Sequence, residues 1–223
     1  MSGRDKRSSL LVFDLDGTLI DSAEDLAISM NATRFHFGLP PLDPQLIYSY
    51  VGNGAAVLVE RAMTGEVPDT SIPDALKFFL RFYREHALEH TRLYPGIREA
   101  LDTLEDHGHK MAVLTNKPVR ISADILTALE VGRHFARVYG GDSFPAKKPD
   151  PVGLRQLSDE LGVQRSATTM IGDSPVDIET ARNFGGTSVG VLWGFQPEGV
   201  RDASPDALLQ HPQELAQHFR SLP

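Results

Sequence analysis

Short apolar runs alternate with amphipathic stretches along most of this chain. Strand-like runs, apolar and often β-branched, fall at 10–14, 110–115, 137–140, 168–172 and 187–192. Helical periodicity lies between them, so the pattern predicts an α/β fold with a parallel sheet between layers of helices. One interval breaks the alternation. From residue 22 to about 90 only helices are predicted: Asp21 with Glu24 makes an N-cap pair, and Leu26, Met30, Thr33 and Phe37 then share one helical face. Asp43 before Pro44 starts another helix, and Leu76, Phe79, Leu80, Tyr83 and Ala87 form a further apolar stripe. Turns are expected at 38–41, 52–54 and 65–73. From Tyr94 the alternation resumes, with helices ending at His107 and Gly108 and spanning 121–129 and 175–184. The expectation is a sheet domain made of residues 1–20 and 91–223, with an all-helical lobe, 21–90, inserted after the first strand.

Composition narrows the classes. The chain has 223 residues, and 41% hydrophobic content is enough for a packed core. Thirty acidic against 22 basic residues give a formal net charge of −8, which argues against the basic surface that nucleic acids or anionic membranes require. With no cysteine, neither disulfides nor thiolate metal sites exist. The first nine residues are polar and read as a frayed tail, and Asp14 cuts the apolar run after them too early for a signal peptide or a membrane span. A soluble, cytoplasmic protein is expected.

In open parallel sheets ligands bind beyond the carboxyl ends of the strands, so the residues delivered there matter most. The first strand delivers Asp14 and Asp16 within DLDGT, the second Thr115 and Asn116, and the fourth Asp173, Ser174 and, a turn later, Asp177. Lys147 and Lys148, in KKPDP, precede that fourth strand. Each has an ordinary alternative: Asp14 as a helix N-cap, Thr115 as a turn former, Lys148 as an exposed charge, Asp173 and Ser174 as a cap cluster. Acids, a hydroxyl and a lysine at successive strand ends in one order favour a reactive site.

The succession DLDGT, TN, KP and GDSxxD resembles the haloacid dehalogenase superfamily of phosphohydrolases, over residues 10–192. The resemblance implies a Rossmann-like core with a helical cap. It implies Asp14 as the nucleophile that forms an aspartyl-phosphate, and Asp16 as the acid that protonates the leaving oxygen and later deprotonates water. It implies Mg2+ held by Asp14, the main-chain carbonyl of Asp16 and Asp173, with Asp177 in support. Thr115 and Lys148 would contact the phosphoryl oxygens, aided by Asn116 and by loop amides near Gly17. Lys147 is the weaker candidate, because the family lysine directly precedes the proline. Relatives that cleave carbon–halogen bonds replace the second acid of the first motif; Asp16 is present here, which favours a phosphate ester.

Substrate choice falls to the cap. In Tyr50–Ala62, two glycines flank Asn53, which read alone is a turn leading into a helix at Gly54. VGNGA, TNKP and ARNFG together resemble phosphoglycolate phosphatases, and similar segments occur in phosphatases of sugar and amino-sugar phosphates. On that resemblance Asn53, Gly54 and neighbouring amides reach a small leaving group, with Lys117 and Arg61 as candidates for a carboxylate; otherwise both are solvated charges. Trp193 and Phe195 either wall the pocket or pack under the cap. The pairs His86 with His90 and His107 with His109 lack a third converging ligand, so no zinc site is expected. The expected partner is a small phosphomonoester, with 2-phosphoglycolate as the leading substrate. A sugar phosphomutase and a non-catalytic module on the same fold are the alternatives, and oligomeric state is left open.

Overall fold

The computed structural model describes residues 9–220. The tail expected over the first nine residues lies, apart from Ser9, outside them. In chain order the elements open with β1 (Leu10–Phe13), β2 (Ile20–Asp21), α1 (Ala23–His36), α2 (Pro44–Tyr48), α3 (Ala55–Met63), α4 (Ile72–His86) and β3 (Arg92–Leu93). There follow α5 (Ile97–Asp106), β4 (Lys110–Leu114), α6 (Val119–Ala128), β5 (Arg137–Tyr139), α7 (Val152–Leu161), β6 (Thr168–Gly172) and α8 (Pro175–Phe184). The chain closes with β7 (Thr187–Val191), α9 (Pro197–Asp202), β8 (Ala207–Leu209) and α10 (Glu214–Arg220).

Six strands form one parallel sheet in the order β5-β4-β1-β6-β7-β8. β1 is central because Leu10, Leu11, Val12 and Phe13 are all apolar and all fully buried, as a strand covered on both faces must be. Leu11 and Phe13 pack with residues of α5, α6 and α10, whereas Leu10 and Val12 pack with Leu154 and Leu157 of α7 and with Ala181 and Phe184 of α8. Phe13 aligns with Val113 on one side and Ile171 on the other. The chain fills the β4 side first and then crosses to β6, so the strand order switches direction at β1, where a ligand crevice opens.

Helices α1 to α4 leave and rejoin the core through a narrow neck. There β2 pairs antiparallel with β3, Ile20 opposite Leu93 and Asp21 opposite Arg92. Two residues per strand are too few to produce an alternating pattern, which is why the sequence does not reveal them. Asp25, buried on α1, closes the neck: its carboxylate accepts hydrogen bonds from the His90 amide at 3.0 Å, the Thr91 amide at 2.8 Å and the Thr91 hydroxyl at 2.7 Å.

The expected N-cap pair is corrected. α1 starts at Ala23, with Ser22 at its N-cap; Asp21 accepts only from the Ala23 amide at 3.2 Å, and the Ser22 hydroxyl donates to Asp16 at 2.6 Å. Capping chemistry is spent on the strand tip. By contrast Asp43 caps α2 as its Pro44 suggests, accepting from the Gln45 amide at 2.7 Å. Among the histidines paired in the sequence, His86 meets Glu89 at 2.6 Å, His90 lies 3.4 Å from Glu24, and His109 bonds Ser9 at 2.6 Å. No described helix is long and apolar enough to cross a membrane.

Replacing Asp25 with alanine strands two neck amides and is expected to lower unfolding stability by about 2–4 kcal/mol. Urea unfolding checks this; an unchanged midpoint would remove Asp25 as the tie.

Candidate active site

The chain turns sharply after β1. Gly17 has φ +82, and a methyl group on it would overlap the Asp173 carboxylate, so only glycine lets the two loops meet. Across this junction Thr18 donates to Asp173 Oδ1 at 3.2 Å and the Phe195 amide to Oδ2 at 2.7 Å. Asp177 lies one turn into α8 in a capping box: it accepts from the Ser174 amide at 3.1 Å and the Ser174 hydroxyl at 2.6 Å.

Asp14, Asp173 and Asp177 are all buried, and each offers an oxygen within 4.8 Å of the others. Lys148 is the buried cation among them. Its Nζ donates to Asp177 Oδ1 at 2.6 Å and lies 2.9 Å from Asp14 Oδ1, close enough for an ion pair but off-angle for a hydrogen bond. Lys147, its neighbour, is exposed. Burial pushes the Asp14 carboxyl up to about 6 against the opposing pull of Lys148, with Asp177 adding to the rise. Burial, then Asp14 and Asp177, hold Asp173 well above the carboxylate range. Burial alone would depress Lys148, but the two acids outweigh it and the net shift is upward.

Three carboxylates against one ammonium leave two negative charges uncompensated when all are ionised. An all-oxygen donor set with that deficit, including an Asp14 oxygen that accepts no hydrogen bond, fits a hard divalent cation. Asp14 and Asp173 suit direct ligation, since Asp177 is already committed to Lys148 and Ser174.

A second group stands beside the first. Lys117, buried, donates from Nζ to Asp16 Oδ1 at 2.8 Å and to the Tyr83 hydroxyl at 2.6 Å, and sits 4.3 Å from the Tyr83 ring centroid. Burial opposes its charge, yet Asp16 and Tyr83 raise its affinity for the proton overall. Burial likewise pushes the Tyr83 hydroxyl up to about 12. Asp16 is thus gripped by Lys117 and by Ser22.

Facing these groups is a partly open cavity of about 40 Å3, room for roughly three waters. Asp14, Asp16, Thr115, Asn116 and Lys117 line its floor; Leu58, Phe79 and Tyr83 of the helical lobe line its roof, with Gly52 and Gly54 at the side. Gly54, at φ +90, begins α3 and sits against the Asn116 carbonyl.

Not all of the expected residues line the cavity. Asn53 does not line the cavity, although Gly52 and Gly54 on either side of it do. Arg61 is exposed, its guanidinium 6.0 Å from the Tyr50 ring centroid and outside the cavity lining. The Asn116 side chain is a fastener: Nδ2 donates to the Gly52 carbonyl at 3.0 Å and the Lys148 carbonyl at 3.1 Å, and Oδ1 accepts from the Lys148 amide at 3.0 Å. Thr115 lies on the cavity floor, where Oγ1 accepts from the Lys117 amide at 3.3 Å. Trp193 donates to the Thr18 carbonyl at 3.0 Å and packs with Phe195 against the core, outside the cavity lining. Gln196, which no sequence signal marks, donates to the Val51 carbonyl at 2.6 Å. Tyr83 is legible only as an apolar stripe position; nothing in the sequence indicates that its hydroxyl meets a lysine of another element.

Residues 11–191 match the family described as haloacid dehalogenase-like hydrolase. The chain belongs to that family. It is 40% identical, over 85% of its length and 87% of the relative's, to the phosphoglycolate phosphatase of Chromobacterium violaceum. The Pseudomonas putida phosphoglycolate phosphatase is 38% identical over 90% of this chain and 75% of that one. Among solved structures, one described as a predicted phosphoglycolate phosphatase from Haemophilus somnus 129pt superposes with a TM-score of 0.91 at 31% identity, covering 97% of this chain and all of that one. The α/β, Rossmann-like architecture expected from the sequence is therefore the family's own.

Replacing Lys148 with methionine leaves Asp14 and Asp177 buried without a counterion. The expected cost in metal-free buffer is about 3–5 kcal/mol of stability, read by urea unfolding.

Proposed function

We propose that this protein is a magnesium-dependent phosphatase of small phosphomonoesters and that its substrate is 2-phosphoglycolate. The observation that carries the reading is a small cavity in which Asp14 and Asp16 face the single cation among its described lining residues, Lys117. A short leaving group bearing its own carboxylate answers that arrangement; an uncharged sugar does not. The phosphoglycolate phosphatases among its relatives support the same choice.

The Asp14 carboxylate attacks phosphorus, forming an aspartyl-phosphate as the phosphorus–ester oxygen bond breaks. Asp16 gives its proton to the departing alkoxide, yielding glycolate. Asp16 then takes a proton from water as that water attacks phosphorus, which frees Asp14 and releases inorganic phosphate. Lys148 and the Thr115 hydroxyl contact the phosphoryl oxygens, and Asp177 keeps Lys148 oriented. Asn116 acts by holding the Lys148 loop, and Gly17 by admitting Asp173. A magnesium ion held by Asp14, Asp173 and the main-chain carbonyl of Asp16 would neutralise phosphoryl charge. Residues 21–90 serve as the cap that excludes water, closing over a core of 1–20 and 91–223. Lys117 binds the glycolate carboxylate, with the start of α3 at Gly54 adding amides of favourable polarity. Asn53 acts only through the shape of that turn, and Arg61 has no part.

Phosphate release measured with and without magnesium across 2-phosphoglycolate, hexose phosphates, an amino-sugar phosphate and nucleotides tests the substrate; preference for a hexose phosphate would overturn it. Asp14→Asn is expected to abolish turnover of every substrate while the fold persists by circular dichroism. Lys117→Met is expected to lower kcat/KM for 2-phosphoglycolate relative to p-nitrophenyl phosphate by at least about tenfold. Equal losses on both would remove Lys117 from leaving-group recognition.

A further inference from the structure

A second, open depression adjoins the cavity. It occupies about 520 Å3 along the seam between α4 and α6, with Arg81, Arg84 and Glu85 on one side and Arg120 and Ile121 on the other. Leu80 and Pro118 line both this groove and the cavity over Asp14 and Asp16, so the two share a wall. All three arginines are exposed. Among the described residues, none of them lies within ion-pair distance of a carboxylate, Glu85 included. Arg81 instead lies over the Phe78 ring, 5.3 Å from its centroid.

Three unpaired guanidinium groups at one rim of a chain with net charge −8 make a local reversal of field. A dianionic or trianionic phosphomonoester is repelled by most of this surface. At physiological salt the Debye length is about 8 Å, so distant acids are screened while a groove sharing a wall with the cavity still acts. The cations continue inward, from the arginines at the seam to Lys117 on the cavity floor and Lys148 beside Asp14.

We propose that the Arg81–Arg84–Arg120 groove is the capture site for phosphorylated substrates, gathering the anion at the cap–core seam before it passes Leu80 and Pro118. The inference needs an anionic phosphomonoester but not 2-phosphoglycolate in particular. The arginines act on encounter and leave the chemical steps alone.

The test is steady-state hydrolysis of 2-phosphoglycolate and of p-nitrophenyl phosphate by the full chain, from about 20 mM to about 300 mM salt. The combined variant Arg81→Gln, Arg84→Gln, Arg120→Gln is expected to lose roughly three- to tenfold in kcat/KM at low salt, with kcat moving by less than about twofold. The gap should close at high salt. Glu85→Gln, which removes the one acid among the groove's described lining residues, is expected to raise kcat/KM at low salt, a gain that misfolding cannot mimic. The proposal is overturned by an unchanged salt slope in the triple variant, by a loss that persists at high salt, or by no gain from Glu85→Gln. If p-nitrophenyl phosphate shows the salt effect and 2-phosphoglycolate is not turned over, the groove stands and the substrate reading falls.

Discussion

Like charge gathered where water cannot reach it is the constraint that shapes this protein. Asp14 after β1, Asp173 after β6 and Asp177 in the first turn of α8 are brought together and buried, and Lys148 alone among the described buried cations meets two of them. Such a cluster is costly unless its geometry is held from every side. The surrounding architecture supplies that hold: a glycine turn where no side chain fits, a capping box around Asp177, and an amide aimed at Asp173 from the segment after β7. The sheet is the frame that lets these loops arrive at one place.

The core of this arrangement was legible because chemistry and periodicity coincide there. A run such as LLVF, apolar at every position, declares a strand buried on both faces, and acids directly after it have few reasons to exist other than a reaction. Five of the six sheet strands were visible as short apolar or β-branched runs, β5, with Arg137 at its start, the faintest of them. β8, three residues long, was not, nor was the neck pair β2 and β3, whose partners lie about seventy residues apart and carry no pattern of their own.

Long-range pairings were the illegible part of the site. Tyr83 looks like a core residue on α4, and only the folded chain shows its hydroxyl against Lys117. Asn116 stands in a motif position that suggests phosphate, yet its amide fastens two loops. Arg61 and Asn53 were candidates by resemblance, and both stand outside the cavity lining. Sequence pattern reports what a segment does locally; where its polar atoms end up depends on partners that pattern does not encode.

Besides the Lys117–Tyr83 contact, two joints between helical lobe and core run from the side chains of Asn116 and Gln196 to the carbonyls of Gly52 and Val51. Through these two the core recognises the lobe's main chain, which does not depend on the side chains of the cavity roof. Evolution can redraw the roof of the cavity, at Leu58 or Phe79 for example, without loosening the clasp that seats it. A scaffold built this way can change its diet while keeping its bite.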